Sequence, residues 1–131
     1  MEAIVDARVL VYRAAVGLYP IEVAALDERL HQVSQFVAPS CELLRSYRIL
    51  DALARQGSMT KSEALRLSML VCESGIELRP LWPWDISRIA MLDCHPADAW
   101  CVALAETLGV PFITRNPNLA SLTTSCEIEV Y

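Results

Sequence analysis

The stretch His95-Pro96-Ala97-Asp98-Ala99-Trp100-Cys101-Val102-Ala103-Leu104-Ala105-Glu106-Thr107-Leu108-Gly109-Val110-Pro111-Phe112-Ile113-Thr114-Arg115-Asn116 decides the fold. Pro96 suits the first helical position, where its missing N–H costs nothing. Asp98 then falls in the first turn, where a carboxylate faces the positive end of the helix. Val102, Leu104, Ala105 and Leu108 supply an apolar stripe, and Gly109 is the expected helix stop. Residues 110–114 are a short apolar, β-branched run of the kind that forms a strand buried on both faces. The chain opens with a second such run, Ala3-Ile4-Val5, followed at once by Asp6. Asp6 and Asn116 are thereby placed just past the carboxyl ends of two strands, the edge where open α/β sheets bind ligands.

Outward from these two ends, strand and helix patterns alternate, which predicts a parallel sheet between helices. After the strand at 3–5 a short helix is expected over 8–16, broken by Gly17-Leu18-Tyr19-Pro20. A helix over 21–35 turns Ile21, Ala24, Ala25, Leu26, Leu30 and Val33 inward. A brief strand at 36–38 leads into a long helix over 39–56, with Leu43, Leu44, Ile49, Leu50 and Leu53 as core candidates. Gly57 stops it. Thr60-Lys61-Ser62-Glu63 is a capping box, and the helix it starts runs to Ser74, before Gly75. A strand at 76–78 and a loop at Leu81-Trp82-Pro83-Trp84 follow, and Asp85 caps a helix to about Leu92. Beyond the deciding stretch come a short turn or helix at 117–122 and a last strand at 127–131.

At 131 residues the chain has the size of one domain. Its apolar content of 54% is enough for a core and leaves apolar surface for a partner. No apolar run approaches the roughly 20 residues of a membrane span, and no secretory signal is visible. Cys41, Cys72, Cys94, Cys101 and Cys126 are odd in number and widely spaced, which suits free thiols in a reducing cytoplasm. Cys94-His95 lacks the two further ligands that zinc needs, so zinc is not expected. The net charge of −5 argues against sequence-blind nucleic-acid binding. It leaves room for a local basic groove from Arg45, Arg48 and Arg55 on one helix and Arg66 on the next, where a solvated helix face explains them as simply. Trp82 and Trp84 could stack on bases, anchor a protein partner, or only cover the core edge.

Taken in order, these pieces resemble a PIN domain, in particular the small VapC-like toxins. Ile4-Val5-Asp6-Ala7 is similar to the family's first strand and its acid. Val37-Ala38-Pro39-Ser40 is similar to its "VAPS" entry to a long helix. Pro96 to Asn116 resembles the block that carries the third acid and the fourth strand. The resemblance covers nearly the whole chain. It implies a three-layer α/β/α fold with a central parallel sheet of about five strands, and a carboxylate cluster that binds Mg²⁺ or Mn²⁺ and cuts RNA. The family's first and third acids match Asp6 and Asp98. Its second falls at Arg45 or the adjacent Leu44, and its fourth at Asn116. Arg8 stands where the family has Ser or Thr.

Two acids in place of four bear directly on the chemistry. Mg²⁺ often takes only one or two protein carboxylates, so Asp6 and Asp98 are the candidate metal ligands and catalytic residues. With half the negative charge, they would hold the ion weakly or not at all. Arg45 allows another state, its guanidinium lying between the aspartates in place of the metal. Glu42, one turn before Arg45, is a candidate substitute for the missing Glu. Thr114 is a candidate hydrogen-bond donor to Asp6 or to a phosphate. The expectation is a nuclease-like domain, weak or inactive, that acts as an RNA- or protein-binding module. The alternative is an active metal-dependent endoribonuclease toxin. A homodimer through residues 21–56 and an antitoxin partner are also expected.

Overall fold

The computed structural model describes residues 1–15 and 23–131. In chain order the elements are β1 (Glu2–Val5), α1 (Ala7–Ala14), α2 (Ala24–His31), β2 (Gln35–Pro39), α3 (Cys41–Arg55), α4 (Lys61–Cys72), β3 (Glu77–Arg79), α5 (Pro83–Met91), α6 (Pro96–Leu108), β4 (Phe112–Thr114), a 3₁₀ turn (Pro117–Ser121) and β5 (Ile128–Val130). The five strands form one sheet in the order β3-β2-β1-β4-β5, and every pairing is parallel. Register pairs Ile4 with Val37 on one side and with Phe112 on the other.

Side-chain alternation along the strands splits the core into two layers. Ala3, Val5, Phe36 and Ile113 face α1 and α2, in a cluster with Tyr12 and Leu26. Ile4, Val37 and Phe112 face α6, packing on Cys101, Val102 and Ala105. Val11, Leu50, Ala64 and Leu67 join α1, α3 and α4 in a third cluster. The result is the three-layer α/β/α arrangement read from the sequence. Among the described residues no helix is long and apolar enough to cross a membrane.

The strand order reverses at β1. Chain growth runs from β1 outward through β2 to β3, then returns to the far side for β4 and β5. Adjacent strands whose connections leave in opposite directions open a crevice at their carboxyl ends. Here that crevice lies between Val5–Asp6 and Thr114–Asn116.

Several boundaries differ from the sequence reading. The second helix ends at His31, not Gln35. Gln35 pairs with Glu2 in the sheet, and Ser34 donates its N–H to the Met1 carbonyl at 2.8 Å, so strand pairing overrides helix propensity there. Ala24 and Ala25 are exposed; Leu26 carries the inner face of α2. The predicted break at 17–20, the helix start at Ile21 and the inward turn of Ile21 fall outside the described residues. Leu44, a core candidate, is 58% exposed. The buried face of α3 is Glu42, Ser46 and Leu50, spaced four apart, and Leu44 lies about 200° around the helix from Glu42. Asp85 does not cap α5 from outside. It is the third helical residue, and its carboxylate accepts the Trp82 N–H at 3.2 Å while Pro83 opens the helix. The Thr60 cap is present, its hydroxyl accepting from the Glu63 N–H at 3.1 Å, and α4 ends at Cys72. The Gly109 stop adopts the left-handed conformation, φ 67°.

Candidate functional site

Five elements, β1, β4, α6, α3 and α1, deliver side chains to the crevice. Asp6 directly follows β1 and caps α1, so strand and helix fix its position together. Its Oδ1 accepts the Val9 N–H at 3.1 Å, and its Oδ2 accepts the Thr114 hydroxyl from the end of β4. Both residues are fully buried. Burial pushes the Asp6 carboxyl up, while the Thr114 and Val9 hydrogen bonds pull it back. Asp98 comes from the first turn of α6, which His95 caps by accepting the Ala97 N–H at its Nδ1.

The next supplier is α3. Glu42 is fully buried, and Arg45 lies one turn further on the same face. Nη1 of Arg45 donates to Glu42 at 2.8 Å and 3.1 Å, and to Asp98 Oδ1 at 3.2 Å; Nη2 also donates to Asp98 Oδ1 at 3.2 Å. Arg45 therefore joins the two acids of α3 and α6. Burial pushes the Glu42 carboxyl up to about 7, with the Arg45 charge and the Cys101 hydrogen bond opposing it. Arg8, from the first turn of α1, sits 3.9 Å from Asp6 and 3.8 Å from Asp98. Asn116 turns its amide Nδ2 to Asp98 Oδ2 at 3.5 Å, and its Oδ1 accepts the Asn118 N–H.

The fold thus gathers Asp6, Glu42, Arg45, Asp98, Thr114 and Asn116 into one cluster, with Arg8 across its mouth. A cleft of about 550 Å³ opens beside it, reached past Arg8, Arg45, His95 and Asn118. Cys101 was not anticipated. It is fully buried on α6 and donates its thiol hydrogen to Glu42 Oε1 at 3.1 Å. The available signal was spacing: Cys101 follows Asp98 by three residues and so shares its helix face.

The donor set does not fit a divalent cation. Arg45 lies 3.2 Å from Asp98, and Arg8 lies 3.9 Å from Asp6 and 3.8 Å from Asp98. A cation between Asp6 and Asp98 would lie against two guanidinium charges. Asp6 and Asp98 each also have a local task, as helix cap and first-turn acid, that needs no metal.

No family model and no curated protein matches the sequence. Solved structures do match the fold. VapBC2 of Rickettsia felis, crystallised bound to a DNA fragment from its promoter, aligns with a TM-score of 0.69 at 12% identity, over 100% of this chain and 99% of that one. A protein of Pyrobaculum aerophilum aligns at 0.73 and 21% identity, over 99% of this chain and 84% of that one. VapBC-5 of Mycobacterium tuberculosis, from the VapBC family of toxin–antitoxin systems, aligns at 0.58 and 18% identity, over 98% of this chain and 96% of that one. At these identities the likeness establishes the fold, which is VapC-like and PIN-type.

Proposed function

We propose, with the VapC-like fold as premise, that this chain is a PIN-type module that binds its target instead of cutting it. The observation that carries this reading is the Arg45 guanidinium bonded to both Glu42 and Asp98. It supplies a fixed positive charge where metal-dependent hydrolysis needs an open, negative pocket. Guanidinium does not lose its proton in proteins, so the position stays closed to a cation across the physiological range.

A protein target is favoured over RNA, because the net charge of −5 opposes attraction to a polyanion. Two of the structural relatives are VapBC proteins, which supports an antitoxin as that partner. The exposed Leu44 and Tyr47 of α3 support a homodimer through residues 21–56. Free thiols at all five cysteines suit a cytoplasmic setting.

Calorimetry with Mn²⁺, paired with a cleavage assay on single-stranded RNA, tests the reading. The expected result is no tight one-site binding and no turnover. Tight one-site binding together with cleavage abolished by Asp98→Asn would establish the alternative, an active metal-dependent endoribonuclease toxin.

A further inference from the structure

Helix α4 buries one face and leaves the opposite one to solvent. Ala64, Leu67 and Val71 turn inward and join the core. On the outside, Ser62, Leu65, Arg66, Met69, Leu70 and Glu73 line a groove of about 390 Å³. Their i, i+3, i+4 recurrence makes them a single helical stripe. Leu65, Met69 and Leu70 are 58%, 54% and 40% exposed, so the stripe is apolar and open to a partner. At about 100° per residue, Arg66, Met69 and Glu73 run along its middle, and Leu65 and Leu70 flank them on either side.

The two charges of the stripe have no partner within the chain. Among the described residues neither Arg66 nor Glu73 takes part in an ion pair. They are opposite in sign and symmetrically placed, Arg66 three residues before Met69 and Glu73 three after Leu70. A two-fold axis between Met69 and Leu70, with two α4 helices antiparallel, sets Arg66 of each copy opposite Glu73 of the other. Met69 and Leu70 then meet their counterparts at the centre, and the flanking leucines shield both ion pairs from water. A surface that complements itself is what an isologous contact requires, whereas an unrelated partner demands no such symmetry. An anionic lipid surface is opposed by the net charge of −5.

We propose that the outer face of α4 is a self-association surface, on which a second copy of this chain docks antiparallel through Arg66 and Glu73 around Met69 and Leu70. It goes beyond the contact through residues 21–56 proposed above and lies on a different helix. The stripe is one helix long, which places the contact among weak interfaces that bury less than about 1,200 Å² in total.

Sedimentation equilibrium of the full chain, up to millimolar concentration, tests this, with circular dichroism checking the fold of each variant. The wild type should self-associate, and Met69→Glu should weaken association by at least about tenfold. Arg66→Glu and Glu73→Arg each set like charges opposite one another and should weaken it similarly. Mixing these two single variants should restore association, because every cross-pair in the mixed complex is again of opposite sign. Joint Arg66→Glu and Glu73→Arg should restore it for the same reason. All three positions are exposed, so the substitutions leave the core intact. Leu44→Glu, on the α3 contact, should leave this pattern of loss and rescue unchanged, so the two contacts are read separately. A wild type that shows no association would overturn the proposal, as would single charge variants that associate as the wild type does. Loss without rescue in the mixture would also overturn it, and would assign the face to a different protein. Mn²⁺ binding with RNA cleavage would sink the functional reading above and leave this result untouched.

Discussion

Arg45 and Asp98 are 53 residues apart in sequence, yet both terminal nitrogens of the arginine lie 3.2 Å from one oxygen of the aspartate. This ion pair ties α3 to α6 across the mouth of the β1–β4 crevice. It replaces two like-charged carboxylates, which would need a cation between them, with an internally neutralised pair. The same guanidinium also meets Glu42, so one positive charge serves two acids.

Removing that charge should open the site to metal. Arg45→Glu combined with Asn116→Asp is expected to raise Mn²⁺ affinity at least about tenfold, because each unit charge at ~4 Å and an effective dielectric of ~20 interacts with a divalent ion by several kcal/mol before desolvation. Calorimetry on the folded double variant checks this. Unchanged affinity would show that cleft shape, not charge, excludes the ion.

The Glu42 carboxyl should make stability fall as pH rises. Its folded-state value of about 7 lies above its ordinary 4.5, so the folded chain holds the proton more tightly than the unfolded chain. That contribution is full below about pH 4.5 and is lost towards pH 7, on the order of 1–2 kcal/mol. Asp6 shifts in the same direction. Urea denaturation at pH 5 and pH 8 should show the loss in the wild type and a smaller one in Glu42→Gln. An equal loss in both would place the titration elsewhere.

Thr114→Val should cost about 1–3 kcal/mol, because it deprives a buried Asp6 oxygen of its donor. The Thr114 hydroxyl also holds the Asp6 carboxyl down, so the penalty should grow with pH. Denaturation midpoints of the variant across pH 5 to 8 measure both effects. A cost near zero would mean that Arg8 moves in to replace the hydroxyl.

Gly109→Ala should lower stability by about 1 kcal/mol, since φ of 67° is left-handed backbone that a Cβ disfavours. An added Cβ there has no atom within 4 Å, so the cost is conformational and no clash contributes. Thermal unfolding should show a drop of about 3–5 °C. No change would mean that the turn after α6 relaxes to another conformation.

The sequence by itself determined the architecture. Local signals settle elements, and here they are strong: Pro96 and Gly109 bracket α6, and the apolar runs at 3–5 and 110–114 predict buried strands, the second of which forms over Phe112–Thr114. They also fixed Asp6 and Asn116 at strand ends, because strand order in a parallel sheet sends every carboxyl end to one edge. Boundaries that depend on partners were less legible. The end of α2 was set by the pairing of Gln35 with Glu2, and the outward turn of Leu44 by which face of α3 met α1 and α4. Only the tertiary structure decided how charge is balanced. Glu42, Arg45, Asp98 and Cys101 come from two helices, and nothing local says that Arg45 turns inward, since a long side chain reaches water as easily as a carboxylate. Burial decided it: two acids enclosed between α3 and α6 are unfavourable without a cation, and the arginine already present on that face is the nearest one.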